Sequence, residues 1–301
     1  MAIAIETSGL TKYYGSSPGI IDLDLKVHEG EVFGFIGPNG AGKSTTIRTL
    51  LNFLFPSSGS GSVLGMDIIK DTLEIRRRVG YLPGDLSMYD GMTAREFLIY
   101  FANLRKCDCT TSMASLAERF QLDLDRKIKD YSTGNRQKVG IVNAFMHQPE
   151  LLILDEPTSG LDPLMQQEFQ ELIKEIREQG RTVFLSSHIL PEVDAVADRV
   201  GIVRESRLIA VDSVEAFKAK AHSTVSIQFA SPVNEMVFSD LDGVRTAESR
   251  NGGTVVAITV SGSLDTVIKE AANHEVVSIS SRDSELEDVF LSYYAGDMDV
   301  S

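Results

Sequence analysis

Gly37-Pro-Asn-Gly-Ala-Gly-Lys-Ser44 is the stretch on which the fold of this chain turns. It fits G-x-x-x-x-G-K-[ST], and its flanks matter as much as the motif itself. Before it, Val32-Phe-Gly-Phe-Ile36 is apolar on both faces, as a parallel strand covered on each side would be. After it, Lys43–Asn52 reads as a helix. Glycines let successive backbone N–H groups turn inward around phosphate oxygens, and a helix N-terminus adds positive potential. In such a loop Lys43 would meet the β- and γ-phosphates and Ser44 would hold Mg²⁺, with Pro38, Asn39, Gly40, Ala41, Gly42 and Thr45 completing the cradle. A glycine-rich turn with an incidental lysine is the plainer alternative, and the order strand, loop, helix argues against it.

Downstream, Leu151-Leu-Ile-Leu-Asp155-Glu156 reads as a second buried strand that delivers two carboxylates at its C-terminal end. Open α/β sheets bind ligands at that edge. Asp155 can reach Mg²⁺, directly or through water, and Glu156 can polarise an attacking water. Together the two motifs imply a P-loop nucleotidase. A guanine reader of the form Asn/Thr-Lys-x-Asp is absent from the sequence, while P-loop kinases and helicases stay open at this level.

The rest of the chain fits an α/β domain with a helical insert. In Ile21-Asp-Leu-Asp-Leu-Lys-Val27 apolar and polar residues alternate, as in a strand with one buried face. From about 85 to 147 the pattern turns helical: Thr93-Ala-Arg-Glu96 matches a capping box, Phe97, Leu98, Phe101 and Leu104 recur at helical spacing, and similar runs follow at Ser112–Phe120 and Arg136–His147. Strands and helices then alternate: a helix Pro163–Gln179 with Gly180 past its end, a strand Thr182–Ser186, a helix near Pro191–Ala197, and strands near Val200–Val203 and Arg207–Val211. Past Thr224 the texture changes. Val225, Ile227 and Phe229 alternate, Asn251-Gly-Gly253 marks a hairpin turn, a helix spans about Ser263–Asn273, a strand Val276–Ile279, and a closing helix starts at Ser284.

Charge divides the chain in the same place. The net charge is −14, and residues 222–301 hold thirteen acids against four bases, or −9 of it. The expectation is a nucleotidase domain over 1–221 and an acidic α/β accessory domain over 222–301. So acidic a chain disfavours broad adhesion to nucleic acid or anionic lipid. No run of 18 apolar residues occurs, and Met1-Ala-Ile-Ala-Ile-Glu lacks a signal peptide's basic start and long apolar stretch, so a cytoplasmic location is expected. Cys107 and Cys109, the only cysteines, read as free thiols on a solvated stretch. His28, His147, His222 and His274 have no chemical constellation around them.

Tyr131-Ser-Thr-Gly-Asn-Arg-Gln137, just before a helix and shortly ahead of the acidic strand, resembles the LSGGQ-type signature of ABC ATPases. Ser159-Gly-Leu-Asp162 is similar to that family's D-loop, His188 after Leu185-Ser-Ser187 to its switch histidine, and Tyr14 before Gly15 to the aromatic that stacks on adenine. Tyr13 could take that last place instead. Six elements in family order cover roughly residues 5–210. The resemblance implies a mainly parallel P-loop core with an antiparallel β subdomain and an inserted helical subdomain, binding ATP and Mg²⁺. It also implies that Ser132, Gly134, Asn135 and Asp162 serve the nucleotide held by an opposite subunit.

Two departures stand out. Gly84 follows Tyr81-Leu-Pro83 where the family usually carries glutamine, so metal contact there must come from water or a neighbour such as Asp85. Thr133 and Asn135 alter the signature, while Ser132, Gly134, Glu156 and His188 are retained, and the expectation is an active, slowed ATPase. The ending Ser284-Glu-Leu-Glu-Asp-Val-Phe-Leu-Ser-Tyr-Tyr294 resembles bacterial and archaeal export ATPases for drugs, antibiotics and lipids. Such proteins pair with a second copy or a related ATPase and with a separate membrane permease, at the cytoplasmic face. ABC proteins acting on ribosomes or DNA are the rival class. They usually join two nucleotide domains or carry long coiled coils or zinc cysteines, none of which occurs here. A binding-only regulator is a third class, opposed by intact Glu156.

Overall fold

A computed structural model describes residues 2–220, 223–260, 263–282 and 290. Along the chain run β1 (Ile3–Tyr14), β2 (Ser17–His28), β3 (Val32–Ile36), α1 (Lys43–Leu50), β4 (Ser58–Val63), β5 (Met66–Asp67), α2 (Thr72–Arg78) and β6 (Val79–Leu82). Next come α3 (Ala94–Arg105), α4 (Thr110–Arg119), α5 (Thr133–Phe145), β7 (Leu151–Asp155), α6 (Pro163–Glu178), β8 (Thr182–Ser187), α7 (Leu190–Asp194), β9 (Arg199–Arg204) and β10 (Arg207–Ser213). The remainder is α8 (Val214–Lys220), β11 (Ser223–Phe229), α9 (Met236–Ser239), β12 (Val244–Arg250), β13 (Val255–Val260), α10 (Asp265–Ala271) and β14 (Val276–Arg282). Two compact units form, Met1–Val211 and Asp212–Ser301, while the composition shifts near residue 222.

In the first unit a six-stranded sheet has the order β10-β9-β3-β8-β7-β6. β3 pairs in parallel with β8 and β9, and β7 in parallel with β8 and β6. β3 and β7 are buried at every position, so their unbroken apolar runs are those of strands covered on both faces. Phe184 fixes the middle of this core, with ring centroids 5.9 Å from Phe33 and 5.3 Å from Phe35. A second, antiparallel sheet has the order β2-β1-β4-β5.

α3, α4 and α5 carry a core of their own around Phe97, Leu98, Met113, Ile128, Val139 and Val142. The capping box at the start of α3 is present in both directions, Thr93 Oγ1 accepting from Glu96 N and Glu96 from Thr93 N. α7 is shorter than its sequence pattern: past the Ala195 cap the Val196 N–H turns to the Val193 carbonyl, three residues back, and the helix ends.

The cysteines correct the expectation of free, solvated thiols. Cys107 and Cys109 are joined in a disulfide with their Cα atoms 5.6 Å apart, inside the ordinary range. Lys106 caps α3 in the left-handed region (φ 57°) and turns the chain, and the i, i+2 spacing then brings both side chains to one side. Cys109 is buried in the helical core with Met113 and Ala117, not solvated.

The second unit is a β-α-β-β-α-β module with sheet order β12-β13-β11-β14 and antiparallel neighbours, the arrangement of ferredoxin-like units. Val225, Ile227 and Phe229 alternate inward with Val256, Ile258 and Val260, under Phe238, Val267 and Ala271. Asn251–Gly253 turns β12 into β13. The expected closing helix lies outside the described residues except for Phe290. Among the described residues no helix is long and apolar enough to cross a membrane.

His147, just past α5, gives the first unit a pH signature. Its Nε2 lies 3.3 Å from the Val79 carbonyl, which can only accept. Burial first, then the Arg105 guanidinium, pull its pKa from 6.5 down to about 4. A folded pKa below the unfolded one means stability that is full above pH 6.5 and is lost as pH falls through about 4. In urea melts at a series of pH values, wild type should lose stability over that window more steeply than His147→Gln. Parallel curves for the two proteins would oppose this account.

Candidate functional site

Four neighbouring strands of the parallel sheet end at one edge, and each hands on one part of the site. β3 leads into Gly37–Ser44, β8 into His188, β7 into Asp155 and Glu156, and β6 into Gly84. Around the glycine-rich loop lies a cavity of about 330 Å³ lined by Tyr14, Pro18, Gly19, Pro38, Asn39, Gly40, Gly42, Lys43, Ser44, Thr45 and Glu156. Gly42 caps α1 at φ 107°, and a Cβ there would sit 2.3 Å from the Gly19 carbonyl oxygen. No side chain fits, so the loop closes on β2 by backbone alone.

Lys43 is only 5% exposed. Its ammonium donates to the Gly37 carbonyl at 2.6 Å and the Pro38 carbonyl at 3.3 Å, and lies 3.3 Å from Glu156 Oε1. The other Glu156 oxygen, Oε2, is 2.8 Å from His188 Nδ1. One carboxylate is thus held between a lysine from the loop and a histidine from the next strand, at the mouth of the cavity. The Glu156 backbone is in the left-handed region, φ 49°, uncommon for a side-chain-bearing residue. Asp155 is 2% exposed and accepts from Ser186 Oγ at 2.6 Å through Oδ1. Its Oδ2 faces Gly84, where a Cβ would stand 3.3 Å away. Burial first, then Asp155, push Tyr81 up to about 12, so the phenol beside the carboxylate stays neutral.

The remaining expected site residues divide between the cavity and its surroundings. Tyr14 lines the cavity with its hydroxyl 3.4 Å from Thr45 Oγ1, whereas Tyr13, whose backbone N–H donates to Ser57 Oγ, does not line it. Ala41 is buried in the core behind the loop. Ser132, Gly134, Asn135 and Asp162 do not line the cavity of their own chain. Ser132 caps α5 by accepting from Asn135 N, and Asp162 caps α6 by accepting from Met165 N. Gly134 packs so closely on the following loop that a Cβ would lie 2.4 Å from the Gly160 carbonyl oxygen. Asp85 is exposed beside Gly84.

Three contributors escaped the sequence reading. Gln137, 4% exposed, donates to the Pro157 carbonyl at 2.8 Å and the Glu156 carbonyl at 3.4 Å. Ser186 restrains Asp155, and Gly19 supplies backbone at the loop. The signal for Gln137 is its place one turn into α5, facing the strand end; a hydrophobic-pattern reading has no reason to weigh it. Among the described residues no cluster of three or more His, Cys, Asp or Glu could hold a metal by itself. Substituting Lys43→Ala should weaken ATP binding by roughly 10- to 100-fold, the cost of a charge-assisted contact. Fluorescent ATP-analogue titration at fixed salt reads this, and unchanged affinity would remove Lys43 from the site.

The family profile described as ABC transporter matches residues 20–159, from β2 through the two carboxylates. The bacitracin transport ATP-binding protein BcrA of Bacillus licheniformis is 33% identical over 98% of this chain and 99% of its own length. The daunorubicin/doxorubicin resistance ATP-binding protein DrrA of Streptomyces peucetius is 37% identical over 74% of this chain and 69% of its own. A solved ATP-binding subunit of an ABC transporter superposes with a TM-score of 0.66 at 30% identity, covering 71% of this chain and 92% of that one. The phosphate loop, the acidic strand end and the histidine after β8 stand together on the fold these relatives share, and this chain belongs to the ABC transporter family as an ATP-binding protein.

Proposed function

We propose that this chain is the ATP-hydrolysing motor of an exporter, working as a dimer at the cytoplasmic face beneath a separate permease. The observation that carries the reading is Glu156, held between Lys43 and His188 at the mouth of the phosphate-loop cavity. Export as the direction is supported by BcrA, a bacitracin transport protein, and DrrA, a drug-resistance protein, with similarity to BcrA extending over nearly the whole chain.

In this mechanism the loop amides from Gly40 to Thr45 and the start of α1 receive the phosphates of ATP. The γ-phosphate competes with Glu156 for the Lys43 ammonium, which frees Oε1 to accept a proton. Tyr14 offers its exposed ring to the adenine. Glu156 takes the proton from water as the water oxygen bonds to the γ-phosphorus and the bond to the β,γ-bridging oxygen breaks. His188, bonded to Oε2, fixes the carboxylate plane. The donors at hand fit a hard cation: the Ser44 hydroxyl and Asp155 Oδ2 are oxygen ligands, with the remaining positions open to water and nucleotide oxygens. Mg²⁺ held there would neutralise charge developing on the β- and γ-phosphates. Ser132, Gly134, Asn135 and Asp162, absent from the chain's own cavity, are available to a second copy's nucleotide.

Docking of a permease finds support on the same unit. A cleft of about 260 Å³ is lined by Phe53, Tyr81, Leu86, Met88, Phe97 and Phe101, and nearby segments leave Phe55, Leu73, Tyr100 and Leu104 exposed. Exposed apolar side chains beside an apolar cleft are the kind of surface a protein partner covers.

Glu156→Gln keeps shape and loses basicity. Turnover should fall by roughly 10²–10⁴, while ATP still binds and size exclusion with ATP shows an accumulated dimer. Hydrolysis at the wild-type rate would defeat the assignment. At Gly84 the side-chain-free position should leave metal affinity wanting. Gly84→Gln should lower the Mg²⁺ concentration for half-maximal ATPase, at the expense of a small shift against Asp155 Oδ2. Coincident Mg²⁺ curves would show that water already serves the position.

A further inference from the structure

Thr158 and Glu192 make a contact that neither the nucleotide cavity nor the strand-end carboxylates require. Thr158 is 4% exposed, and its hydroxyl donates to Glu192 Oε2. Thr158 follows Glu156 by two residues, in the loop that joins β7 to α6. Glu192 follows His188 by four, on α7, which is anchored by the buried side chains of Leu190 and Val193. The hydrogen bond therefore ties the backbone leaving Glu156 to the helix that follows its histidine partner.

The surroundings make this an odd choice for stability alone. Burial raises the Glu192 pKa first, the Thr158 bond opposes it, and the Glu156 carboxylate raises it further, while His188 lowers it. A carboxyl is thus half-buried beside a like charge, where a well-packed apolar pair would cost less. The other side of the loop is also held: Gln137 binds the Glu156 and Pro157 carbonyls, and Gly160 abuts Gly134. The loop is clamped between α5 and α7.

We propose that Glu192 is a positioning residue for hydrolysis: acting through Thr158, it fixes loop 157–162 against α7 and so holds Glu156 and His188 in one geometry. The proposal rests on the reading of Glu156 as the general base. It assigns Glu192 no contact with ATP, so its loss shows in turnover and not in nucleotide affinity.

The test is a steady-state ATPase series on the full chain: Thr158→Val, Thr158→Ser, Glu192→Ala and the Thr158→Val/Glu192→Ala pair, with KM for ATP and a thermal melt for each. Thr158→Val, nearly isosteric, and Glu192→Ala should each lower kcat by roughly tenfold, as a misplaced catalytic group does, with KM within about twofold of wild type. The pair should be no slower than the slower single variant, because both remove one link, and Thr158→Ser should restore turnover. Wild-type kcat in Thr158→Val, losses that multiply in the pair, or a raised KM with unchanged kcat would each overturn it. If Glu192→Ala fails to fold, Thr158→Val against Thr158→Ser decides the matter alone. Glu156→Gln measured alongside separates the two readings. Turnover retained there defeats the general-base assignment. An inactive Glu156→Gln beside a fully active Thr158→Val defeats the positioning role only.

Discussion

A lysine ammonium buried to 5% exposure must have its charge met nearby, and in this chain it is met by two loop carbonyls and one carboxylate. That single requirement organises the first unit. Lys43 comes from the turn after β3 and Glu156 from the end of β7, and β8 lies between those strands. The contact exists only if three parallel strands hold their register to within one residue. Phe33 and Phe35 of β3 pack against Phe184 of β8, the first stacked and the second tilted, and pin that register from the core side. Ser186 on β8 pins Asp155 from the polar side. Packing at the centre of the sheet and chemistry at its edge are thus one constraint seen from two ends.

The same logic explains which parts were legible in the sequence. β3 and β7 announce themselves because burial on both faces demands unbroken apolar runs, and the glycine loop because close backbone approach excludes side chains. The capping box at Thr93–Glu96 is legible because its two partners sit three residues apart. Gln137 and Thr158 were not, since each binds a partner at least nineteen residues away and neither belongs to a periodic pattern. The choice between Tyr13 and Tyr14 needed three-dimensional placement for the same reason: adjacent strand residues face opposite sides, and only the loop position says which side matters.

The cysteines fail the sequence reading in an instructive way. Spacing alone suggested two solvated thiols, but the path of the chain past Lys106, set by a left-handed helix cap, decides where both sulfurs go. Local conformation outranked composition there. Composition speaks only at coarse scale: the acidic shift near residue 222 lies just past α8, whereas the second compact unit begins at Asp212.

Glu156 sits at φ 49°, a backbone state that a residue with a long side chain adopts only when its surroundings insist. Asparagine or glycine would occupy it more comfortably. With the base role proposed for Glu156, selection for a tougher fold and selection for turnover pull this one position in opposite directions. A lineage of such proteins freed from the need to hydrolyse would be expected to lose the glutamate early, and to gain thermal resilience as it did so.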